Sequence, residues 1–220
     1  TTLVSEKETS TEEVVRDCSV SQETESWLRE HCPTYTIPAI PMMVIVDLLA
    51  EAAHAKASCK QLTRLSNVHL KRWVQVDKPI RIRTRTRLTH SDHHTETFQS
   101  HFDQWWEAPR HNLSRFEEIA SSTVTLSSTY PEIPEHIPYI ENLQEFPELY
   151  DSGILFHGEP FHIVEKAWIG RKGLAGLLDL SKVSLDQTSL LQEGTIHPLL
   201  LDGCVQLLGA LQVLPFKELI

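Results

Sequence analysis

The sequence is short of several features on which whole classes of protein depend. Positive charge is in deficit, since 20 Lys and Arg face 30 Asp and Glu for a net charge of −10. This argues against a general nucleic-acid or membrane-surface role, because both need clustered positive charge. The four cysteines show no CxxC spacing, and the composition favours thiols in a cytoplasmic protein over disulfides.

Long apolar runs are also missing, so we expect no membrane-spanning segment. Residues 1–13 are polar and acidic, with no basic segment leading into an apolar stretch, so we expect no signal peptide. The chain lacks an initiating Met, which suggests a piece of a longer polypeptide. At 220 residues and 40% apolar content, it can still bury a core without disulfides or metals.

The first part of the chain predicts one antiparallel sheet around one helix. Val14–Val20 alternates weakly, as a strand does. From Pro41 onward, apolar residues recur at helical spacing, and the helix is apolar enough to be wrapped by a sheet. Four further strands are then predicted, with a loop at Trp105 and Trp106 before the last; the strands are 65–70, 80–88, 95–103 and 118–127.

The same pattern of strand, turn and apolar helix then begins again. Strands are predicted at Phe161–Trp168 and Gly173–Leu180, and His197-Pro198 opens a second apolar helix. We therefore predict one half at 1–130, a proline-rich linker at 131–150 and a second half at 151–220. Only 214–220 remains where more strands should follow, so the second half is expected to be incomplete.

Two side chains suggest acid–base chemistry. His31 precedes the first helix, and Asp202 falls near the start of the second, with Gln206 on the same face and able to hold its carboxyl group. A histidine and a carboxylic acid can together remove a proton and protonate a departing hydroxyl. The alternatives are a capping or core histidine and a carboxylate explained by the helix dipole.

Three other features have a plain and a functional interpretation. The segment 153–161 is either a simple turn or a loop in which Gly158 lets the backbone approach a ligand. One predicted strand carries a stripe of alternating arginines, Arg81, Arg83, Arg85 and Arg87. This arginine stripe is either the solvent-exposed face of a sheet or a docking patch for an acidic partner. His90, His93 and His94 are assigned to a surface turn rather than a metal site.

Three motifs together resemble the dehydratase domains of polyketide synthases and related multienzymes such as polyunsaturated fatty acid synthases. Trp-Leu-Arg-Glu-His at 27–31 is similar to the family's approach to its catalytic histidine. Leu-Phe-His-Gly-Glu-Pro-Phe at 155–161 is similar to its Tyr-Gly-Pro-x-Phe turn. His-Pro-Leu-Leu-Leu-Asp-Gly-Cys-Val-Gln at 197–206 matches its second catalytic motif and is the most specific of the three.

The resemblance implies an α+β double hotdog, in which two antiparallel sheets each wrap a central helix. It implies a dehydratase acting on a β-hydroxyacyl thioester, carried on the phosphopantetheine arm of an acyl carrier protein, with no metal or other cofactor. His31 would take the α-carbon proton, Asp202 would protonate the leaving hydroxyl, and Gln206 would orient Asp202. The implied substrate-binding residues are Tyr35, Pro41, His157, Gly158, Phe161, His197 and Pro198.

Other synthase domains would be further partners, and a homodimer is one option. To act on adjacent carbons, His31 and Asp202 should lie roughly 4–7 Å apart. The motifs also depart from the family: Tyr35 stands where the family has Gly, Pro41 comes one residue late, and His157 replaces a Tyr. Two alternatives therefore stay open: an inactive dehydratase-like structural or carrier-docking domain, and a His/Asp cyclase or double-bond isomerase.

Overall fold

The computed structural model describes residues 13–133, 135, 140–146, 149–151, 153, 155–171, 173–181, 183, 189–191 and 194–213. Within these ranges the chain forms ten strands and two α-helices, joined by loops and short 3-10 turns. The elements are β1 (Val14–Val20), β2 (Ala39–Ile40), α1 (Met42–Lys56), β3 (Gln61–Leu70), β4 (Val74–Gln75), β5 (Ile80–Ser91), β6 (Thr95–Trp106), β7 (Arg115–Ser127), β8 (Glu141–Glu145), β9 (Val164–Arg171), β10 (Gly173–Leu178) and α2 (Pro198–Val213).

The largest sheet has the strand order β1-β5-β6-β7-β3, and the pairs from β5 to β3 are antiparallel. Alternation predicted from the sequence of β5 is confirmed, because its Ile and Thr side chains are buried while the Arg side chains between them face outward. Ala53 of helix α1 and Ala57, which directly follows the helix, form a core with Phe98, Val124 and Leu126. The small Ala53 side chain allows the helix and the sheet to pack closely.

A second sheet has the order β10-β9-β8, also antiparallel. Helix α2 packs on it through Leu207, which joins Leu149, Val164 and Ala167 in a second core. The approach is close, because a Cβ added to Gly176 would clash with the methyl groups of Leu207. A side chain on β10 at this position would therefore require the Leu207 side chain to move.

The chain divides into two compact units, each assembled from separate stretches. One contains the chain up to Cys18, Leu48–Arg72 and Arg81–Pro131, and the other contains Ser19–Asp47, Trp73–Ile80 and the chain from Glu132 onward. The units thus differ from the contiguous halves 1–130 and 151–220 predicted from the sequence. The reason is that the segment around His31 bonds with residues beyond 150, as the Gly158 N–H does with the Glu30 carbonyl at 2.7 Å.

Three local predictions are corrected. The predicted linker 131–150 contains β8, whose five residues are all exposed and so carry no apolar alternation. Trp105 and Trp106 extend β6 instead of forming a loop; Trp105 packs edge-on against Phe116 of β7. Strand β9 starts at Val164, not Phe161, because 159–161 form a 3-10 turn with a proline near its start.

The helices begin where the sequence predicts, directly after Pro41 and directly after His197. No helix among the described residues is long and apolar enough to cross a membrane. All four cysteines are thiols, as the composition predicts. Residues 214–220, on which the prediction of an incomplete second half depends, lie outside the described ranges.

Candidate active site

His31 lies at the end of a 3-10 turn, Ser26–Glu30, and only 2% of its surface is exposed. Its Nδ1 is 2.7 Å from the Ala39 carbonyl oxygen, and β2 holds Ala39 in place by pairing with β4. A carbonyl only accepts hydrogen bonds, so Nδ1 carries the proton and Nε2 keeps a lone pair. The structure thus presents His31 as the tautomer that a base acting through Nε2 requires.

Aromatic rings surround the His31 imidazole. Ring centroids of Phe156, Phe161 and Trp73 lie 5.1, 5.3 and 6.0 Å from its own. This burial lowers the pKa of His31 to about 4, although its bond to Ala39 acts in the opposite direction. The imidazole is therefore neutral at pH 7 and ready to accept a proton.

Asp202 is the fifth residue of α2, and 6% of it is exposed. It lies just beyond the first turn of the helix, where the effect of the helix dipole has fallen off, so the dipole does not account for its position. Burial raises the pKa of the Asp202 carboxyl to about 6, and a hydrogen bond from Gln206 partly offsets this effect. An acid with a pKa near neutrality can donate a proton at physiological pH.

The prediction that Gln206 holds Asp202 is confirmed, because its Nε2 donates to Asp202 Oδ2 at 2.8 Å. Gln206 Nε2 also donates to the Phe161 carbonyl at 3.0 Å, while its Oε1 accepts from the Tyr150 hydroxyl at 2.8 Å. The Tyr150 oxygen in turn accepts from the Val164 N–H at 3.0 Å. If the Gln206 amide were rotated so that its oxygen and nitrogen exchanged places, its oxygen would face the Phe161 carbonyl oxygen, and no hydrogen bond could form there. The orientation of the Gln206 amide is therefore fixed.

Tyr150 is the residue that sequence reasoning missed. It falls in the segment predicted to be a linker, and no spacing relates it to the helix that it supports. Its ring stacks on His162, with the two centroids 3.9 Å apart. The hydroxyl is buried enough that its pKa is raised to about 12, so Tyr150 acts as a neutral hydrogen-bonding group.

A β-bridge between His31 and His157 places the His157 side chain close to His31 and Asp202. Its Nε2 is 3.4 Å from Asp202 Oδ2, its side chain is 7% exposed, and Nδ1 has no hydrogen-bond partner among the described residues. Burial, followed by the nearby His31 and His162, lowers the pKa of His157 to about 3. One potential metal-ligand atom from each of His31, His157 and Asp202 lies within 4.8 Å of the other two. His31 and Asp202 therefore lie within the upper limit of roughly 7 Å that was expected for them.

The remaining predicted substrate-binding residues divide into two groups. Phe161 is fully buried against the rings of His31 and His157. Pro41 and Pro198 are buried at the helix starts, and the His197 carbonyl accepts the first hydrogen bond of α2. Tyr35, by contrast, is 72% exposed, so it is placed outside the buried cluster.

Tyr35 adopts a backbone conformation that is unusual for its residue type. Its φ is 58°, in the left-handed region that glycine adopts most easily. A side chain in this conformation costs roughly 1 kcal/mol or more.

Arginines of the stripe on β5 form ion pairs with acidic side chains of neighbouring strands. Arg83 forms two hydrogen bonds with Asp17 of β1, at 2.6 and 2.8 Å. Arg85 forms two with Asp103 of β6, at 2.6 and 3.1 Å. These two side chains lie on the outer face of the sheet, as expected if the stripe is a solvent-exposed face. Their positive charge is largely compensated by the two aspartates.

No protein-family model matches the sequence, and no curated protein does. Solved structures do match it. The dehydratase domain of PpsC from Mycobacterium tuberculosis, in complex with C12:1-CoA, is 16% identical with a TM-score of 0.66, covering 90% of this chain and 68% of that one. The dehydratase domain from the CurF module of curacin polyketide synthase is 13% identical with a TM-score of 0.70, covering 93% and 72%.

A third match is the erythromycin dehydratase, which is 21% identical with a TM-score of 0.60, covering 89% of this chain and 69% of that one. These identities are low, and the likeness extends over nearly the whole chain. The chain therefore has the fold of polyketide synthase dehydratase domains, as the resemblance of its motifs predicts.

Proposed function

We propose that this domain removes water from a β-hydroxyacyl thioester to give the α,β-enoyl thioester. The observation that carries the proposal is the pairing of a neutral, correctly oriented His31 with a buried Asp202 of raised pKa, within 4.8 Å of each other. Dehydration needs a base and an acid at neighbouring carbons. The fold shared with dehydratase domains supports the same chemistry by analogy.

In the proposed reaction His31 Nε2 takes a proton from the α-carbon, and the C–H electron pair forms the new double bond. The β-carbon–oxygen bond breaks, and Asp202 donates its proton to the leaving oxygen, so water departs. His31 then holds the proton and Asp202 is ionised, and proton transfer through solvent restores both. No metal or redox cofactor enters these steps.

The thioester carbonyl would be polarised by backbone N–H groups. Gly158 is a poor candidate, because its N–H already donates to the Glu30 carbonyl at 2.7 Å. The first turn of α1, beginning at Met42, remains available, since the first N–H groups of an α-helix have no partner within the helix. This hydrogen bond from Gly158 to Glu30 instead helps to keep His157 beside His31.

The substrate is proposed to arrive on the phosphopantetheine arm of an acyl carrier protein within a synthase, with other synthase domains as neighbours. The PpsC domain, which was solved with a CoA thioester, supports a thioester ligand. We also propose the double-hotdog arrangement, because each of the two sheets packs on one helix.

An inactive domain kept for structure or carrier docking is the main alternative. The altered first motif favours it, but the Asp202–Gln206–Tyr150 network counts against it, because a merely structural helix has no need of a buried carboxyl with a raised pKa. A cyclase or isomerase would use the same pair. Its first step, removal of the α-proton, is identical.

The test is incubation with a carrier-bound 3-hydroxyacyl chain, followed by mass spectrometry for loss of one water. His31→Ala and Asp202→Asn should each lower the rate by about 10² or more, with circular dichroism unchanged. His69→Ala and Asp92→Asn, at exposed positions, are matched controls and should retain the wild-type rate. Wild-type turnover in either site variant would remove that residue from the mechanism.

In D₂O, exchange of the α-proton without water loss would indicate an isomerase or cyclase instead. Absence of both exchange and water loss would support the inactive alternative. Each outcome thus assigns the pair to one of the three functions.

A further inference from the structure

The cluster of His31, His157 and Asp202 has a property that dehydration does not use. Two imidazoles and one carboxylate place a ligand-capable atom each within 4.8 Å of one another. All three side chains are at least nine-tenths buried. Among the residues that the structure describes, this is the one group of three such side chains at this spacing.

The spacing of one pair of atoms within the cluster suits a small cation. His157 Nε2 and Asp202 Oδ2 are 3.4 Å apart, which is long for a charge-assisted hydrogen bond of about 2.7–2.9 Å. In a tetrahedral site with metal–ligand bonds of about 2.0–2.1 Å, adjacent ligand atoms lie about 3.3–3.4 Å apart. The pair is therefore spaced to share an ion.

Outer contacts hold two of the three groups as metal ligands are usually held. His31 donates Nδ1–H to the Ala39 carbonyl, which leaves Nε2 as the ligand atom. Gln206 fixes Asp202 by donating to Oδ2.

We propose that His31, His157 and Asp202 bind a divalent first-row transition-metal ion such as Zn²⁺, leaving a coordination position open. Two nitrogen ligands favour such an ion over Mg²⁺ or Ca²⁺, which prefer oxygen. The ion would occupy the groups that act on the substrate and so inhibit turnover. Inhibition rests on the proposed function, whereas binding does not.

Co²⁺ is the probe, because Zn²⁺ has no visible spectrum. Titration of Co²⁺ into EDTA-treated, dialysed protein at pH 7 should give one bound equivalent by calorimetry. The visible absorption should be that of a low-coordinate site, should be abolished by one equivalent of Zn²⁺, and should be unaffected by excess Mg²⁺. Zn²⁺ at the same stoichiometry should inhibit dehydration.

His157→Phe keeps an aromatic ring against Phe156, whose centroid lies 4.1 Å from that of His157, and removes the ligand nitrogen. It should weaken Co²⁺ binding by more than about 100-fold. Asp202→Asn, of nearly the same volume, is an independent second variant with the same expected result. The double variant His93→Gln/His94→Gln, in an exposed turn, is the control and should bind as the wild type does.

Equal Co²⁺ affinity in the wild type and both site variants would overturn the proposal. So would loss of binding in the control, which would place the ion on the surface turn. Absence of a bound equivalent in the wild type would overturn it as well. Metal binding without dehydration would refute the proposed function alone, and dehydration without metal binding would refute this inference alone.

Discussion

At the residue scale, burial tunes the two groups of the proposed acid–base pair in opposite directions. It raises the pKa of Asp202 to about 6 and lowers that of His31 to about 4. The mechanism needs Asp202 protonated and His31 neutral, a combination populated mainly between these values. We expect kcat/KM for a small 3-hydroxyacyl thioester to fall above about pH 6 and again below about pH 4. A profile that is flat from pH 6 to 8 would contradict Asp202 as the acid.

Gln206 offers a sharper test at the same scale, because its hydrogen bond lowers the pKa of Asp202. Gln206→Ala should reduce the rate less than Asp202→Asn does, by about tenfold, and should move the upper limb of the pH profile to higher pH. Tyr150→Phe should give a smaller change in the same direction. The exposed Gln75→Ala is the control. A lower rate without a shifted limb would assign Gln206 to helix stability.

Sequence motifs were sufficient to single out His31, Asp202 and Gln206, because each occupies a fixed place in a short motif. Tyr150 was not predictable in this way. Its role depends on a contact between residues 56 positions apart in the chain, and its own segment carries no periodicity. The spacing of His157 and Asp202 likewise comes from tertiary structure and not from the order of residues.

At the scale of elements, one close contact sets the position of the His157 turn. A Cβ at Gly158 would lie 2.8 Å from Glu30 Cβ and would also clash with a Glu30 carboxylate oxygen. Gly158→Ala should therefore cost about 1–3 kcal/mol of stability and reduce activity by separating His157 from His31. Glu30→Gly in the same chain removes both clashing groups, so the double variant should recover much of the loss, as measured by thermal unfolding and turnover. Full stability of Gly158→Ala alone would contradict the contact.

Elements with strong periodicity were predicted well, and those without it were not. The apolar residues after Pro41 and after Pro198 mark the two helices, and alternation marks β5. Strand β8 is held by main-chain pairing with β9 while all its side chains are exposed, so no pattern could indicate it. The end of β6 is stabilised by a contact between strands, in which the Arg81 guanidinium lies 5.0 Å from the Trp105 ring centroid. The order of residues does not reveal such a contact.

At the scale of the whole molecule, net charge affects how the proposed carrier protein would approach the domain. The net charge is −10, and two arginines of the stripe that could form a basic patch, Arg83 and Arg85, are paired with Asp17 and Asp103. Carrier proteins are usually acidic, so the long-range interaction with a free carrier should be repulsive. Delivery within one polypeptide would overcome this repulsion by raising the effective concentration.

The repulsion between the domain and a free carrier predicts that turnover depends on the salt concentration. Raising the ionic strength from about 0.01 M to about 0.15 M shortens the Debye length from about 30 Å to about 8 Å, which screens repulsion between the domain and a free carrier. We expect kcat/KM for the carrier-bound substrate to rise over this range, while that for a small uncharged thioester mimic stays constant and serves as the control. A fall with salt for the carrier alone would show that an attractive patch guides docking. In that case Arg83→Glu and Arg85→Glu, tested with both substrates, would decide whether β5 supplies it.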